Sequence, residues 1–209
     1  MRVLVVGANG KTGTRVVRIL VARHHDPVAM IRHPEQRSNF DELGVNTVLG
    51  DLEYPIDHAV MGCDALIFAA GSGGSTGKDK TMLVDRLGAI RTMVAAQVHG
   101  VNRYIMLSAT YVDVQSESPI AHYHQAKAHA DNYLRETELS YTIVCPGRLI
   151  DDQGTGRVSV DQNINIAGET SRDNLATALA MCLDMENTVR KTFSLLEGDT
   201  EIERALGSV

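Results

Sequence analysis

Three cysteines, Cys63, Cys145 and Cys182, are all that the 209 residues contain. They are far apart, odd in number and form no Cys-x-x-Cys pair. That argues against a disulfide framework or a zinc site and suits buried thiols in a reducing compartment. No apolar run is long enough to span a bilayer. Met1 leads straight into an apolar strand, which leaves no room for a signal peptide, so a cytoplasmic location is expected. Basic residues are outnumbered, 20 Lys and Arg against 26 Asp and Glu, for a net charge of −6. A general nucleic-acid binder is disfavoured by that balance. Repeats, low-complexity tracts and interdomain linkers are also missing. The remainder, 44% hydrophobic and 22% charged, is ordinary for one globular domain with a sizeable core. The expected partner is a small molecule, with neither nucleic acid nor membrane, on a monomer or homodimer.

What is present is concentrated at the start, Met1-Arg-Val-Leu-Val-Val-Gly-Ala-Asn-Gly-Lys-Thr-Gly13. Arg2–Val6 reads as a strand buried on both faces. Glycines follow at positions 7, 10 and 13, and Val16, Val17, Leu20 and Val21 then fall at helical spacing. Gly7 permits a tight turn, Gly10 lets backbone approach a pyrophosphate, and Gly13 lets the helix pack on the strand. The helix N-terminus offers free N–H groups and a positive dipole end to phosphates. Gly10-Lys11-Thr12 looks like the end of a nucleotide-triphosphate P-loop, but that motif needs glycine where Val5 stands.

Strand and helix signals then alternate, which predicts a parallel sheet covered on both faces. Strands are expected near Val28–Ile31, Thr47–Leu49, Ala65–Ala69, Tyr104–Leu107 and Tyr141–Cys145, with a last one at Lys191–Leu196. Helices are expected near Glu35–Leu43, Ile56–Met61, Lys80–His99, Ala121–Thr137, after a Ser171 cap, and at Thr200–Leu206. The natural strand order is 3-2-1-4-5-6, with a ligand crevice at the carboxyl ends.

The spacing Gly7-x-x-Gly10-x-x-Gly13 resembles the atypical and extended short-chain dehydrogenase/reductases, an NAD(P)H-binding superfamily that includes nucleotide-sugar epimerases and dehydratases. The resemblance implies a Rossmann-like, doubly wound α/β fold. It also implies a cofactor turn made by Gly7, Asn9, Gly10, Lys11, Thr12 and Gly13. The second strand ends Met30-Ile31-Arg32-His33-Pro34, with no acid for a ribose 2′-hydroxyl. Arg32 is therefore the candidate clamp for a 2′-phosphate, with Arg37 the candidate to assist it, and NADP(H) is favoured over NAD(H). In the family, Gly50-Asp51-Leu52 would border the adenine, although Asp51 could equally serve a turn or cap. Small residues Ala69, Ala70 and Gly71 leave space for ribose and pyrophosphate. The run Ser72–Gly77 is read either as a loop that orders on ligand binding or as a simply flexible one.

The fifth strand ends Ser108-Ala-Thr110, and Tyr123-His-Gln-Ala-Lys127 places tyrosine and lysine on one helix face. In the short-chain reductases such a pair is catalytic. Tyrosine passes a proton to or from the substrate oxygen. Lysine holds the nicotinamide ribose and lowers the phenol pKa, and a hydroxyl orients the substrate. Thr110 has the Ser-x12-Tyr spacing and Ser108 competes with it. His122, His124 and His129 lack an i, i+4 metal pair; they read as helix surface, with His124 a possible pocket residue, and no metal site is expected. Pro146 and Gly147 end a strand and, by resemblance, wall the nicotinamide. Ser171-Arg-Asp-Asn-Leu-Ala176 matches another stretch of the family pattern.

The region 146–209 is too short for a nucleotide-sugar domain and is expected to form only a very small lid on a single domain, 1–209. A shallow site favours compact or planar acceptors such as quinones, flavins or small carbonyls. The leading expectation is thus an NADP(H)-dependent oxidoreductase. A non-catalytic NADP(H) sensor, as in the NmrA-like proteins, and a sugar epimerase/dehydratase are the alternatives.

Overall fold

The computed structural model describes residues 1–73, 77–117 and 120–209. The central strand is β1 (Arg2–Val6). Its alternating side chains divide the core in two: Val3 and Val5 join one apolar cluster, Leu4 and Val6 the other. Both faces must therefore be covered, which is why every residue from Val3 to Val6 is fully buried. On one face lie α1 (Lys11–Ala22) and, packed beside it, α7 (Arg172–Met181), contributing Val16, Val17, Leu20, Leu175 and Leu179. On the other lie α5 (Ala89–Val98) and α6 (Ala121–Glu136), contributing Met93, Ala96, Ala130 and Leu134.

The strands β2 (Asp26–Ile31), β3 (Asn46–Leu49), β4 (Ala65–Phe68), β5 (Arg103–Leu107) and β6 (Ser140–Pro146) assemble with β1 in the order 3-2-1-4-5-6, all parallel. This is the expected Rossmann-like arrangement. Beyond β6 the sheet continues through β10 (Lys191–Glu197), parallel to β6, and then β8 (Arg157–Asp161) and β11 (Thr200–Glu201), both in antiparallel pairs. The remaining strands, β7 (Arg148–Ile150) and β9 (Glu169–Ser171), form a separate parallel pair. The chain after Pro146 thus adds three strands to the sheet and, in α7, one of its covering helices.

Several expected boundaries shift for local reasons. The helix expected over Glu35–Leu43 is a 3₁₀ turn, Pro34–Arg37, followed by the short α2 (Ser38–Asp41). Pro34 starts that turn, and the Gln36 side chain accepts from the backbone N–H groups of Arg32 and His33 at 2.9 and 3.1 Å, which closes it early. The expected Ile56–Met61 helix is the single turn α3 (Asp57–Val60). The long helix expected over Lys80–His99 is instead α4 (Lys78–Lys80), a π-helical stretch Thr81–Gly88, and then α5. Thr200–Leu206 splits into β11 and α8 (Ile202–Leu206). Of the glycine run after β4, residues 74–76 lie outside the described ones.

The β1–α1 turn is fixed by two glycines. Gly7 has φ +81°, a left-handed conformation, and a Cβ there would meet Ala70 Cα at 2.6 Å. A Cβ on Gly13 would strike the Gly7 carbonyl oxygen and approach Ala8 Cα to 2.8 Å. We expect Gly13→Ala to push α1 off β1 and lower stability by about 1–3 kcal/mol. Urea unfolding followed by circular dichroism measures this, and an unchanged midpoint would contradict it.

Candidate active site

Two adjoining cavities open at the carboxyl edge of the sheet, where the β1–α1 turn and the loop after β4 diverge. They share Gly7, Gly10, Ala70, Gly71 and Ser72. The first, of about 480 Å³, is lined also by Asn9, Met30, Arg32, Gln36, Gly50, Asp51, Leu52 and Lys80. The second, of about 670 Å³, runs from Lys11 and Thr12 past Ala69 to Asp85, Ser108, Tyr123, Lys127, Pro146 and Gly147. A Cβ on Gly10 would meet only the Gly7 carbonyl oxygen, at 3.2 Å, so the far side of Gly10 is open space. This elongated double cavity, joined at a glycine turn on a helix N-terminus, fits the two halves of a dinucleotide about a pyrophosphate.

In the first cavity Arg32 is exposed, its Nε donating to His33 Nε2 at 3.2 Å. Arg37 is directed elsewhere, onto Thr47 Oγ1 at 3.1 Å. Asp51 lines the cavity and also accepts from the Glu53 N–H at 3.0 Å, so it has a turn role besides its place at the cavity wall. Lys80, which sequence reasoning did not single out, pairs with Glu53 at the same wall.

The inner end of the second cavity is a buried polar cluster. Helix α6 presents Tyr123, Lys127 and Asp131 at intervals of four, on one face. Lys127 Nζ donates to the Leu107 carbonyl at 2.8 Å and lies 3.9 Å from Asp85 Oδ1. Asp85 is fully buried; its Oδ2 accepts from the Ser72 N–H at 3.0 Å, while Oδ1 has no hydrogen-bond partner among the described residues. Ser108 Oγ donates to Asp131 Oδ2 at 2.5 Å. Burial pushes the Asp131 carboxyl up to about 6, against the opposing pull of that hydrogen bond and of Lys127.

Several expectations for this cluster change. Lys127 was expected to lower the Tyr123 phenol, but burial, reinforced by the carboxylates of Asp85 and Asp131, pushes it up. Of the two competing hydroxyls, Ser108 lines the cavity. Thr110 is buried outside its lining, with its N–H bonded to the Pro146 carbonyl at 3.0 Å. Gly13 too lies outside both cavities and acts through packing. His122, rather than His124, reaches the cavity wall; His124 Nδ1 lies 3.3 Å from Ser116 Oγ.

Sequence reasoning missed Asp85, Asp131 and the wall residue Arg172. Asp131 was visible in principle, four residues beyond Lys127 on the same face. Asp85 was not, because the π-helical stretch that carries it does not follow the 3.6-residue period.

The fold and cavity define a Rossmann-like dinucleotide-binding protein. An NAD(P)H-binding family model matches residues 7–186, and the chain belongs to that family. It is 42% identical over 212 residues to a Bacillus subtilis protein, YhfK, named an uncharacterized sugar epimerase, with 99% of each chain covered. A Bacillus halodurans structure, provisionally named an NAD-dependent epimerase/dehydratase, superposes with a TM-score of 0.96 at 41% identity over 100% of both chains. The Lactococcus lactis oxidoreductase ylbE superposes with a TM-score of 0.88 at 28% identity, covering 100% of this chain and 96% of that one. No helix among the described residues is long and apolar enough to cross a membrane.

Proposed function

We propose that the protein is an NADP(H)-dependent oxidoreductase acting on a compact or planar acceptor, such as a quinone, a flavin or a small carbonyl compound. The observation that carries this reading is the continuity of one cavity from the glycine turn at Gly7 and Gly10 to Ser108, Tyr123 and Lys127. In this reading the adenine half rests on Asp51 and Leu52, with Arg32 at the 2′-phosphate. The pyrophosphate lies over Gly10, Lys11 and Thr12, and Ala69, Ala70, Gly71, Pro146 and Gly147 wall the nicotinamide half. When bound, the dinucleotide supplies or accepts the hydride.

The chain's own residues handle the proton. Tyr123, whose pKa is raised, stays a neutral phenol at physiological pH and can donate to a substrate oxygen. Ser108 is turned towards Asp131, so its lone pairs are available to accept from a substrate or tyrosine hydroxyl. Lys127, anchored on the Leu107 carbonyl, is the group that holds the nicotinamide ribose. Oxidoreduction is favoured over sugar epimerisation because the regular elements β8, β10 and β11 extend the sheet and α7 covers it, instead of enclosing a nucleotide sugar.

Two outcomes are expected. Arg32→Ala should weaken NADPH binding by about ten- to a hundredfold and leave NADH binding almost unchanged, as for loss of a charge-assisted hydrogen bond. Fluorescence titration checks this, and equal wild-type affinities for the two cofactors would rule out the 2′-phosphate role. With NADPH and a panel of quinones, flavins and carbonyl compounds, Tyr123→Phe should retain cofactor binding but lose about 10²–10⁴-fold in turnover of carbonyl substrates. Turnover untouched by Tyr123→Phe would exclude this acid. Tight NADPH binding without oxidation by any acceptor would favour the sensor reading.

A further inference from the structure

Elementary electrostatics places anions, not cations, at helix N-termini. Here the first residue of α1 is Lys11, the first residue of α7 is Arg172, and α1 carries no acid in its first turn. The two helices pack side by side. Both cations line the second cavity, together with Gly10 and Thr12 of the glycine turn. Arg15, one turn further along α1, adds a third positive charge beside them. Such a gathering is unfavourable unless a negative group sits among it.

That group is Asp151. Its carboxylate accepts from Lys11 Nζ at 2.7 Å and contacts Arg172 Nη1 at 3.0 Å and Arg15 Nη2 at 3.8 Å. Pairing with Lys11, and with both arginines, holds the Asp151 carboxyl below its ordinary range. Its position follows from the β7–β9 ladder: Ile150 pairs with Ser171, so the next residues along, Asp151 and Arg172, leave the ladder side by side. Ser171 caps α7 by accepting from the N–H groups of Asp173 and Asn174, which fixes where Arg172 starts. Arg15 is anchored separately by Asp173, at 2.6 Å. Arg172 is the most enclosed cation of the set, with its side chain 18% exposed, whereas Lys11 is 68% and Asp151 48% exposed. The exposed Asp151 can therefore swing away at little cost, while Arg172 stays at the cavity wall. The cavity is otherwise equipped for a polar ligand, ending on the fully buried Asp85, whose Oδ1 faces Lys127 at 3.9 Å and has no hydrogen-bond partner among the described residues.

We propose that Arg172 is a second clamp for the dinucleotide pyrophosphate, and that Asp151 is its exchangeable counter-ion, holding Lys11 and Arg172 until the phosphates take its place. Nothing covalent changes; one anion replaces another on the same two cations. Because the pyrophosphate must displace Asp151, the two residues have opposite effects on affinity. The proposal rests on the dinucleotide site and not on any turnover.

The test is isothermal titration of NADPH into the full-length protein and into Arg172→Ala, Arg172→Lys and Asp151→Asn. Arg172→Ala should weaken binding roughly tenfold, with partial recovery in Arg172→Lys, as expected for a charge-assisted contact. Asp151→Asn should tighten binding roughly threefold, the scale of an exposed ion pair removed. Raising NaCl from about 0.05 to 0.3 M should weaken wild-type binding more than that of Arg172→Ala. Opposite signs at the two positions separate the clamp from general damage to the fold, which would weaken both. Wild-type affinity in Arg172→Ala, or weaker binding in Asp151→Asn, would overturn the proposal. No NADPH binding by the wild type would overturn the cofactor reading itself.

Discussion

Everything at the site depends on how closely β1, α1 and the loop after β4 approach one another. Gly7 lies under Ala70, and Gly13 lies against the Gly7 carbonyl, at separations that leave no room for a side chain. This contact seats the α1 N-terminus directly above the carboxyl end of the sheet. It also leaves Gly10 facing open space, so backbone rather than side chain forms the floor on which the two cavities meet. A bulkier turn would separate strand and helix and divide the first cavity from the second.

The second organising constraint is charge kept away from water. Lys127, Asp85 and Asp131 are almost wholly buried beside the cavity, and the lysine is shared between a carbonyl and a carboxylate at 3.9 Å. Such a cluster is costly unless its members satisfy one another. The π-helical stretch Thr81–Gly88 is what brings Asp85 into reach, and Gly88 in that stretch packs against Leu52 in the wall of the first cavity. The two ends of the site are thereby linked through one irregular helix.

Much of this was legible in the sequence, for physical reasons that differ by region. The buried parallel strands read as apolar runs, and glycine spacing marked the one turn where side chains cannot fit. The central order 3-2-1-4-5-6 follows from alternating strands and helices. Short elements were less legible: Pro34 and the Gln36 side chain end what looked like a helix, and β7, β8 and β9 are too short or too polar for a periodic signal. In the site, the Tyr123–Lys127 spacing was readable, but the sign of its electrostatics was not. Local sequence suggests a lysine acting on a phenol, whereas burial and two carboxylates from distant positions dominate. Asp151 beside Arg172 was likewise invisible, since only the β7–β9 ladder makes them neighbours.

The central claim is that a single cavity carries a dinucleotide from the glycine turn to Tyr123. A crystal structure grown with NADPH tests it most directly. The account predicts pyrophosphate density over Gly10 and a nicotinamide ring between Ala70 and Pro146. Tyr123 Oη should then lie within hydrogen-bond reach of a group, water or substrate oxygen, that sits about 3–3.5 Å from the reactive ring carbon. A nicotinamide ring directed away from Ser108, Tyr123 and Lys127, with the adenine half well ordered, would contradict it.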